Sequence, residues 1–499
     1  MNKFFLGVDV GTSFVKTCIF DGDSGVVIGK SSFPESEQPI VSLHPGWAEQ
    51  DPEMWWEHFK LGYATIVREN NIDTSLIEAI GISYQMHGLV IVDKDQNLLR
   101  DSIIWCDSRA TEIGEAAFSS IGEEKCLTNL LNSPGNFTAS KLRWVKEIEP
   151  DTFDRIFKFM LPGDYIALRL SGEITTTRGG LSEGVFWDFP EATLSKDVLD
   201  YFEFDDALFP DIVPTVGEQV QVSPEIAAEL GLQRNVRISY RTGDQSNNAL
   251  SLNVLQPGHT AVTAGTSGVI YSVSDEDLSD TRSRVNTVLH VNDSPIQKRN
   301  GMMICINGAG SSYGWLKRIL GIESYEQLNN LAAQAPVGSD GLMIYPFGNG
   351  AERIFENQIV SANILHIDFN KHSPAHIARS GIEGVACAMN LGFEILKSNG
   401  VKSQMVRAGY ANLFLSEAFQ TAFANVTELS VELYDTDGAE GAARGAAMGV
   451  GFYSSEEDAF DSLNKIGVIE PESELIEQYR DYFDEWRQNL ERHFRSIDT

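Results

Sequence analysis

The sequence is short of cysteine, of positive charge and of long apolar runs, and each shortage closes off a class of protein. Its five cysteines, Cys18, Cys106, Cys126, Cys305 and Cys387, stand far apart with no Cys-x-x-Cys pair. That spacing offers neither a disulfide framework nor a zinc site; it suits reduced thiols, so a cytoplasmic location is expected. No uninterrupted apolar stretch approaches the roughly 20 residues of a membrane-spanning helix, and the run after Lys3 breaks at Asp9, too early for a secretory signal. Lys and Arg number 38 against 71 Asp and Glu, a formal charge of −33. Such a field repels nucleic acid and anionic membrane, so neither is an expected partner. A nucleotide would have to rely on metal, backbone N–H groups and local cations.

What is present is a chain of 499 residues, 42% hydrophobic, which allows two or three globular domains with ample core. Its most informative feature occurs twice. Val8 to Asp21 (VDVGTSFVKTCIFD) and Val262 to Asp275 (VTAGTSGVIYSVSD) align without a gap at six identical positions. Each reads as strand, turn, strand. Gly11 and Gly265 allow a tight bend and close backbone approach, while backbone N–H groups and the hydroxyls of Thr12, Ser13, Thr266 and Ser267 can face anionic oxygens. The repeat therefore predicts a two-part phosphate clamp, with an ordinary hairpin turn as the plainer alternative. Asp9 in the first copy is Thr263 in the second. A carboxylate beside polyphosphate makes sense when Mg²⁺ lies between them, so Asp9 is the candidate metal residue.

Other stretches order the rest of the chain. Asp51, Pro52 and Glu53 give a helix start, with Trp55, Phe59 and Ile66 as its core stripe. Glu78 to Asp93 reads as two strands broken at Gln85 to Gly88, which makes His87 a candidate to hydrogen-bond a substrate hydroxyl, against a structural histidine. Ile103 to Arg109 reads as a strand ending in Asp107 and Arg109, able to bind hydroxyls or each other. The stretch TTTRGGLSEGVFWDFP gives no clear signal. After the strand NVRISY, Gly243 turns the chain and Asp244 opens a helix expected to close at Pro257 and Gly258. Asp244 is either an N-cap or a general base that the helix N-terminus keeps ionised. Glycines 308, 310 and 314 suggest close approach to a ligand. Ser380 to Lys397 and the Ala/Gly-rich TDGAEGAARGAAMGVG read as packed helices, and the last helix, from about Pro471 to Phe494, as a solvated cap.

These segments resemble one family over nearly the whole chain, the FGGY carbohydrate kinases. DVGTSFVK and TAGTSG resemble the family's two phosphate motifs, and TASKLRWV and SGIEGVACAMNLGFEIL its two diagnostic segments. PGWAEQDPEMWW, YQMHGLVIVD and GDQ are most similar to the family's xylulose kinases. The resemblance implies an α/β protein of the two-lobed actin, hexokinase and Hsp70 type (ribonuclease H-like), each lobe a mixed five-stranded sheet flanked by helices. It implies a sugar- and metal-side lobe over residues 1–246 and a nucleotide-side lobe over 247–499. The implied partners are a small-molecule sugar and ATP with Mg²⁺, and a homodimer is compatible with it. The implied reaction is phosphorylation of a ketopentose, D-xylulose, with ribulose, gluconate or glycerol kinases and a non-catalytic sensor as alternatives. Carried over residue by residue, Asp244 is the catalytic base and Met86 and His87 contact the sugar; Gln245, Asp107 and Arg109 are further candidates for the sugar. The resemblance also implies triphosphate contacts at Thr12, Gly265, Thr266 and Gly310 and adenine-side contacts at Gly409 and Asn412; Gly11, Ser13 and Ser267 join the phosphate candidates from the reading of the turns. Arg407-Ala408-Gly409-Tyr410 departs from the family's glycine run, so a nucleotide pocket that is narrower or differently shaped is expected.

Overall fold

A computed structural model describes residues 3–497. The expected meander opens it: β1 (Phe4–Val10), β2 (Val15–Asp21) and β3 (Val26–Phe33) pair antiparallel in sequence. Then β4 (Ile77–Tyr84) joins β1 in parallel, and β5 (Val216–Gln221) pairs antiparallel with β6 (Arg237–Gly243), which joins β4 in parallel. Helices cover both faces of β1 and β4, which is why their sequences read as near-continuous apolar runs rather than alternating ones.

The second sheet repeats this plan. It is built from β7 (His259–Ala264), β8 (Gly268–Ser274), β9 (Asn286–Leu289), β10 (Asn300–Ile306), β11 (Met405–Gly409), β12 (Val431–Tyr434) and β13 (Lys465–Ile469). The spatial orders are β5-β6-β4-β1-β2-β3 and β9-β10-β8-β7-β11-β12-β13. Strands β3-β2-β1-β4-β6 match β10-β8-β7-β11-β12 in order and in direction. The expected five-stranded mixed sheet is thus the common part of each lobe. Antiparallel edge strands widen it to six in the first lobe and seven in the second, which corrects the strand count.

Helix α1 (Pro52–Asn70) starts where the sequence places it. Asp51 accepts from the Glu53 N–H, Pro52 opens the first turn, and Trp55, Phe59 and Ile66 are buried against the first sheet. Helix α2 (Thr138–Ile148) carries TASKLRWV, the short α3 (Arg178–Glu183) lies in the stretch without a clear signal, and α4 (Asp244–Ser251) follows β6. It closes well before Pro257, because Asn253 turns left-handed at φ 52° and donates back to the Leu250 carbonyl.

Helix α5 (Ala309–Ile319) follows β10, and α6 (Pro374–Ser398) is the buried spine of the second lobe. The Ala/Gly-rich α7 (Gly438–Gly449) returns to the first sheet. There is no room for a side chain at Gly7 or Gly81, where a Cβ would stand 1.9 Å from the Ala439 and Ala442 carbonyls.

Two further expectations change. Only Ser102–Ile103 is strand in the segment up to Arg109, because Asp107 draws the chain into a turn by accepting from the N–H groups of Ala48 and Arg109. The final helix, α8 (Ser473–Ile497), is more than a solvated cap. Its inner face buries Tyr479, Trp486 and Leu490, and Trp486 stacks on Tyr345 at 4.7 Å while donating to the Ile344 carbonyl.

Candidate active site

Three parallel strands end in step, and this brings the sugar-side candidates together. Val10 lies opposite Tyr84, and Tyr84 opposite Gly243, so the residues leaving β1, β4 and β6 emerge side by side at the carboxyl edge of one sheet. The Ser83 hydroxyl donates to Asp9 Oδ1 at 2.7 Å. At the third exit, a Cβ on Gly243 would stand 2.5 Å from both Met86 Cγ and Glu183 Oε2. Only glycine lets Met86, Glu183 and the Asp244 turn meet.

Asp244 is not the helix cap. Gly243 holds that position without a side-chain bond, and the Asp244 carboxylate accepts from Gln245 Nε2 at 3.2 Å. The expected stabilised carboxylate is also corrected. Burial, followed by the charge of Asp9, pushes its pKa up to about 7. Desolvation outweighs the helix N-terminus here and leaves a more basic aspartate than the local sequence implies.

His87 is held by one residue from two sides. Its backbone N–H donates to Glu183 Oε1 at 3.2 Å, and its Nδ1 lies 2.9 Å from the Glu183 carbonyl. A carbonyl only accepts, so this bond assigns the proton to Nδ1 and leaves Nε2 as a lone-pair acceptor. Burial and then the Lys141 charge lower the ring's pKa to about 3, so it stays neutral at ordinary pH. The backbone sits at φ 61°, a left-handed conformation uncommon for a side-chain residue, and the ring meets Phe137 edge-on at 4.7 Å. The carbonyl of His87 accepts from Lys141 Nζ at 2.9 Å, and the same ammonium donates to the Ile104 carbonyl at 3.0 Å. Burial lowers the Lys141 pKa to about 8. TASKLRWV thus braces the His87 turn.

Asp107 and Arg109 belong to the wall, which corrects their assignment to the sugar. Arg109 Nη2 pairs with Asp107 at 2.6 Å and Nη1 with Glu49 at 2.6 Å, while its guanidinium lies 3.8 Å from the centre of the Trp47 ring. Asp107 is fully buried, and its remaining acceptor capacity goes to the N–H groups of Ala48 and Arg109.

The first GTS turn is partly spent on itself. The Gly11 N–H donates to the Asp9 and Phe14 carbonyls, and the Thr12 hydroxyl donates to Gln85 and accepts from Trp105 Nε1. Those two groups are corrected from phosphate donors to braces of the turn. The N–H groups of Thr12 and Ser13 have no partner among the described residues. In the second turn, Gly310 and Ser311 donate to the Gly265 and Thr266 carbonyls at 2.9 and 3.0 Å. Because a trans peptide points its C=O and N–H in opposite directions, the N–H groups of Thr266 and Ser267 face away from α5. Gly310 has no room for a side chain, since a Cβ would stand 2.0 Å from the Gly265 carbonyl. The same holds for Gly308, whose Cβ would meet the Pro346 carbonyl at 1.4 Å.

Helix α4 joins the halves. Asn248 Nδ2 donates to the Thr263 hydroxyl at 3.0 Å, and Asn247 Nδ2 to the Gly438 carbonyl at 2.8 Å. Gly438 in turn touches Asp9, where a Cβ would stand 2.4 Å from Oδ2. Of the two adenine-side candidates, Gly409 ends β11, which runs beside β7, and Asn412 sits next to Gly265 at φ 55°. Arg407 leaves that region: it pairs with Glu432 at 2.9 Å and donates to the Leu252 and Asn253 carbonyls. Of the unusual residues there, the exposed Tyr410 is the one with a side chain free to shape a pocket.

Asp9 fits a magnesium residue. Burial raises its pKa, and its Oδ2 has no donor among the described residues. Those residues hold no cluster of three or more His, Cys, Asp or Glu suited to a metal. Mg²⁺ keeps most of its waters and takes one or two carboxylates beside substrate phosphates, so one such residue suffices.

The sequence reading missed Glu183, Lys141 and Phe137. A glutamate set among Gly, Leu, Val and Phe in GGLSEGVF was the available signal, since such surroundings bury a charge.

Comparison with known proteins gives the family and the fold. The N-terminal domain model of the FGGY family of carbohydrate kinases matches residues 4–251, and the family's C-terminal domain model matches residues 260–453. A xylulose kinase of Bacillus subtilis is 27% identical over 501 residues, spanning 100% of this chain and 98% of that protein. The xylulose kinase structure from Rhodospirillum rubrum has a TM-score of 0.87 at 24% identity, covering 100% of both chains. The gluconate kinase structure from Lactobacillus acidophilus has the same TM-score, 0.87, at 21% identity, covering 98% of this chain and 97% of that one. Equal scores for two sugars identify a fold and leave the sugar to the pocket.

Proposed function

The chain belongs to the FGGY family of carbohydrate kinases, with ATP as co-substrate, and from this premise we propose that it phosphorylates the terminal hydroxyl of an open-chain ketopentose, D-xylulose. The observation that carries the reading is the meeting of Met86, His87 and Asp244 at the ends of adjacent parallel strands, beside Asp9. The Bacillus subtilis relative, named a xylulose kinase, supports the choice of sugar.

In this reading His87 Nε2 accepts a hydrogen bond from a sugar hydroxyl, and Met86 packs against the carbon chain. The reacting hydroxyl sits on the Asp244 carboxylate. Its oxygen bonds to the γ-phosphorus as the bond to the β-phosphate oxygen breaks, ADP leaves, and Asp244 takes the proton. The transition state of phosphoryl transfer is loose and the proton moves late, so orienting the hydroxyl is the larger part of the carboxylate's contribution.

The free N–H groups of Thr12, Ser13, Thr266 and Ser267 are positioned by their turns to receive phosphate oxygens, with Gly265, Gly409 and Asn412 beside the nucleotide. Asp9 is the residue proposed to hold Mg²⁺ through water. When bound, that ion supplies positive charge to the polyphosphate.

The test is ADP release against a panel of pentuloses, hexuloses, polyols and aldonates. The proposal expects D-xylulose to give the highest kcat/KM. A preference for gluconate or glycerol would reassign the sugar, and no response to any sugar would leave a binding protein on a kinase fold.

A further inference from the structure

Arg353 stands on the second lobe in the turn after Glu352, yet it reaches the sugar side of the first. Its Cζ lies 5.3 Å from the centre of the Phe137 ring, and the same ring receives His87 edge-on at 4.7 Å. One aromatic side chain therefore touches both the sugar-facing imidazole and this guanidinium.

The guanidinium is short of partners. Nε donates to the Ser283 carbonyl at 3.0 Å, while Nη1 and Nη2 have no hydrogen-bond acceptor among the described residues, and Nη2 is buried. The neighbouring carboxylates are committed elsewhere. Asp280 holds Arg284 at 2.8 Å and Asn399 at 3.0 Å, and Glu352 accepts from the N–H groups of Asn307 and Gly308. Burial lowers the pKa of Arg353 to about 10, which still leaves it charged at neutral pH. Arg353 is half-buried, and a cation held partly out of water without a counter-charge or full hydrogen bonding is costly, so its persistence at a lobe junction points to a ligand that completes it.

We propose that Arg353 is a sugar-binding residue supplied by the second lobe, its two free nitrogens taking adjacent oxygens at the non-reacting end of the sugar. In a ketopentose these are the C1 hydroxyl and the C2 carbonyl. The planar fork of a guanidinium suits two neighbouring oxygens, which a lysine cannot match. A sugar held by His87 from one lobe and Arg353 from the other ties the lobes together, so sugar binding itself favours closure and the exclusion of water.

The inference rests on the proposed function, and the experiment separates the two. Steady-state kinetics and sugar-dependent thermal shifts are measured on the full chain for wild type, Arg353→Met and Arg353→Lys. The expected result is a KM for D-xylulose raised about ten- to a hundredfold in Arg353→Met, with the KM for ATP within about twofold of wild type. Arg353→Lys, which keeps the charge and loses the fork, raises the sugar KM about threefold or more, a readout that stands even if the Met variant fails to fold. The sugar-free Arg353→Met protein melts at or above the wild-type temperature, and the upward shift that D-xylulose gives wild type is largely lost. An unchanged sugar KM in both variants, or a rise confined to the KM for ATP, overturns the inference. Should wild type itself ignore D-xylulose, the proposed function fails first, and the same comparison with the sugar found by the panel decides the role of Arg353.

Discussion

Glu183 holds His87 twice, its carboxylate taking the His87 N–H at 3.2 Å and its backbone carbonyl meeting Nδ1 at 2.9 Å. The first bond sustains the left-handed turn, and the second fixes which ring nitrogen is free. Glu183→Gln keeps an acceptor of the same shape and is expected to leave the sugar KM near wild type. Glu183→Leu leaves the His87 N–H without a partner and is expected to raise the sugar KM about tenfold with little change in the KM for ATP. Sugar and ATP titrations of both variants check this, and equal sugar KM values would remove Glu183 from the positioning of His87.

Arg109 is predicted to matter for stability rather than for sugar. Removing it leaves the fully buried Asp107 carboxylate without its cation, while Glu49 keeps Arg100, and breaking a buried pair from one side costs about 3–5 kcal/mol. Urea unfolding of Arg109→Leu should show that loss, while the folded fraction keeps its sugar KM. A variant that is stable but weak for sugar would return Arg109 to the pocket.

The pKa of Asp244 predicts an effect of pH on stability. Its folded-state value of about 7 lies above the ordinary 3.8, so the stability it contributes is fully present below about pH 4 and is lost as pH rises through 7. Asp244→Asn has no charge to lose. Without ligands it should therefore be the more stable protein above pH 7, by at most about 4 kcal/mol, with the gap closing toward pH 4. Urea midpoints across that range measure it. Parallel curves for the two proteins would mean that Asp244 titrates as an exposed aspartate.

The fold was largely legible because its signals are local. A hairpin announces itself through its own turn, so Val8 to Asp21 and Val262 to Asp275 could be matched, and the matched strands take equivalent places in the two sheets. Asp51 and Pro52 marked the start of α1 for the same reason.

The site was legible only in part, because its remaining signals are distant in sequence. Glu183 acts on a histidine 96 residues away, and Arg353 reaches Phe137 from the other lobe. Whether Asp107 and Arg109 faced the cleft or the wall depended on Glu49 and Trp47, which no local pattern connects to them. At Asp244 the sequence showed the helix N-terminus but not the burial, and burial decided the direction of the pKa shift.

The proposed chemistry turns on Asp244 as the base that orients and deprotonates the sugar hydroxyl. Turnover of D-xylulose by Asp244→Asn, in protein shown to be folded by its urea transition, tests it most directly. The expected kcat is at least about a hundredfold below wild type, in line with general-base contributions of about 10² to 10⁴. A folded Asp244→Asn protein turning over near the wild-type rate would contradict it.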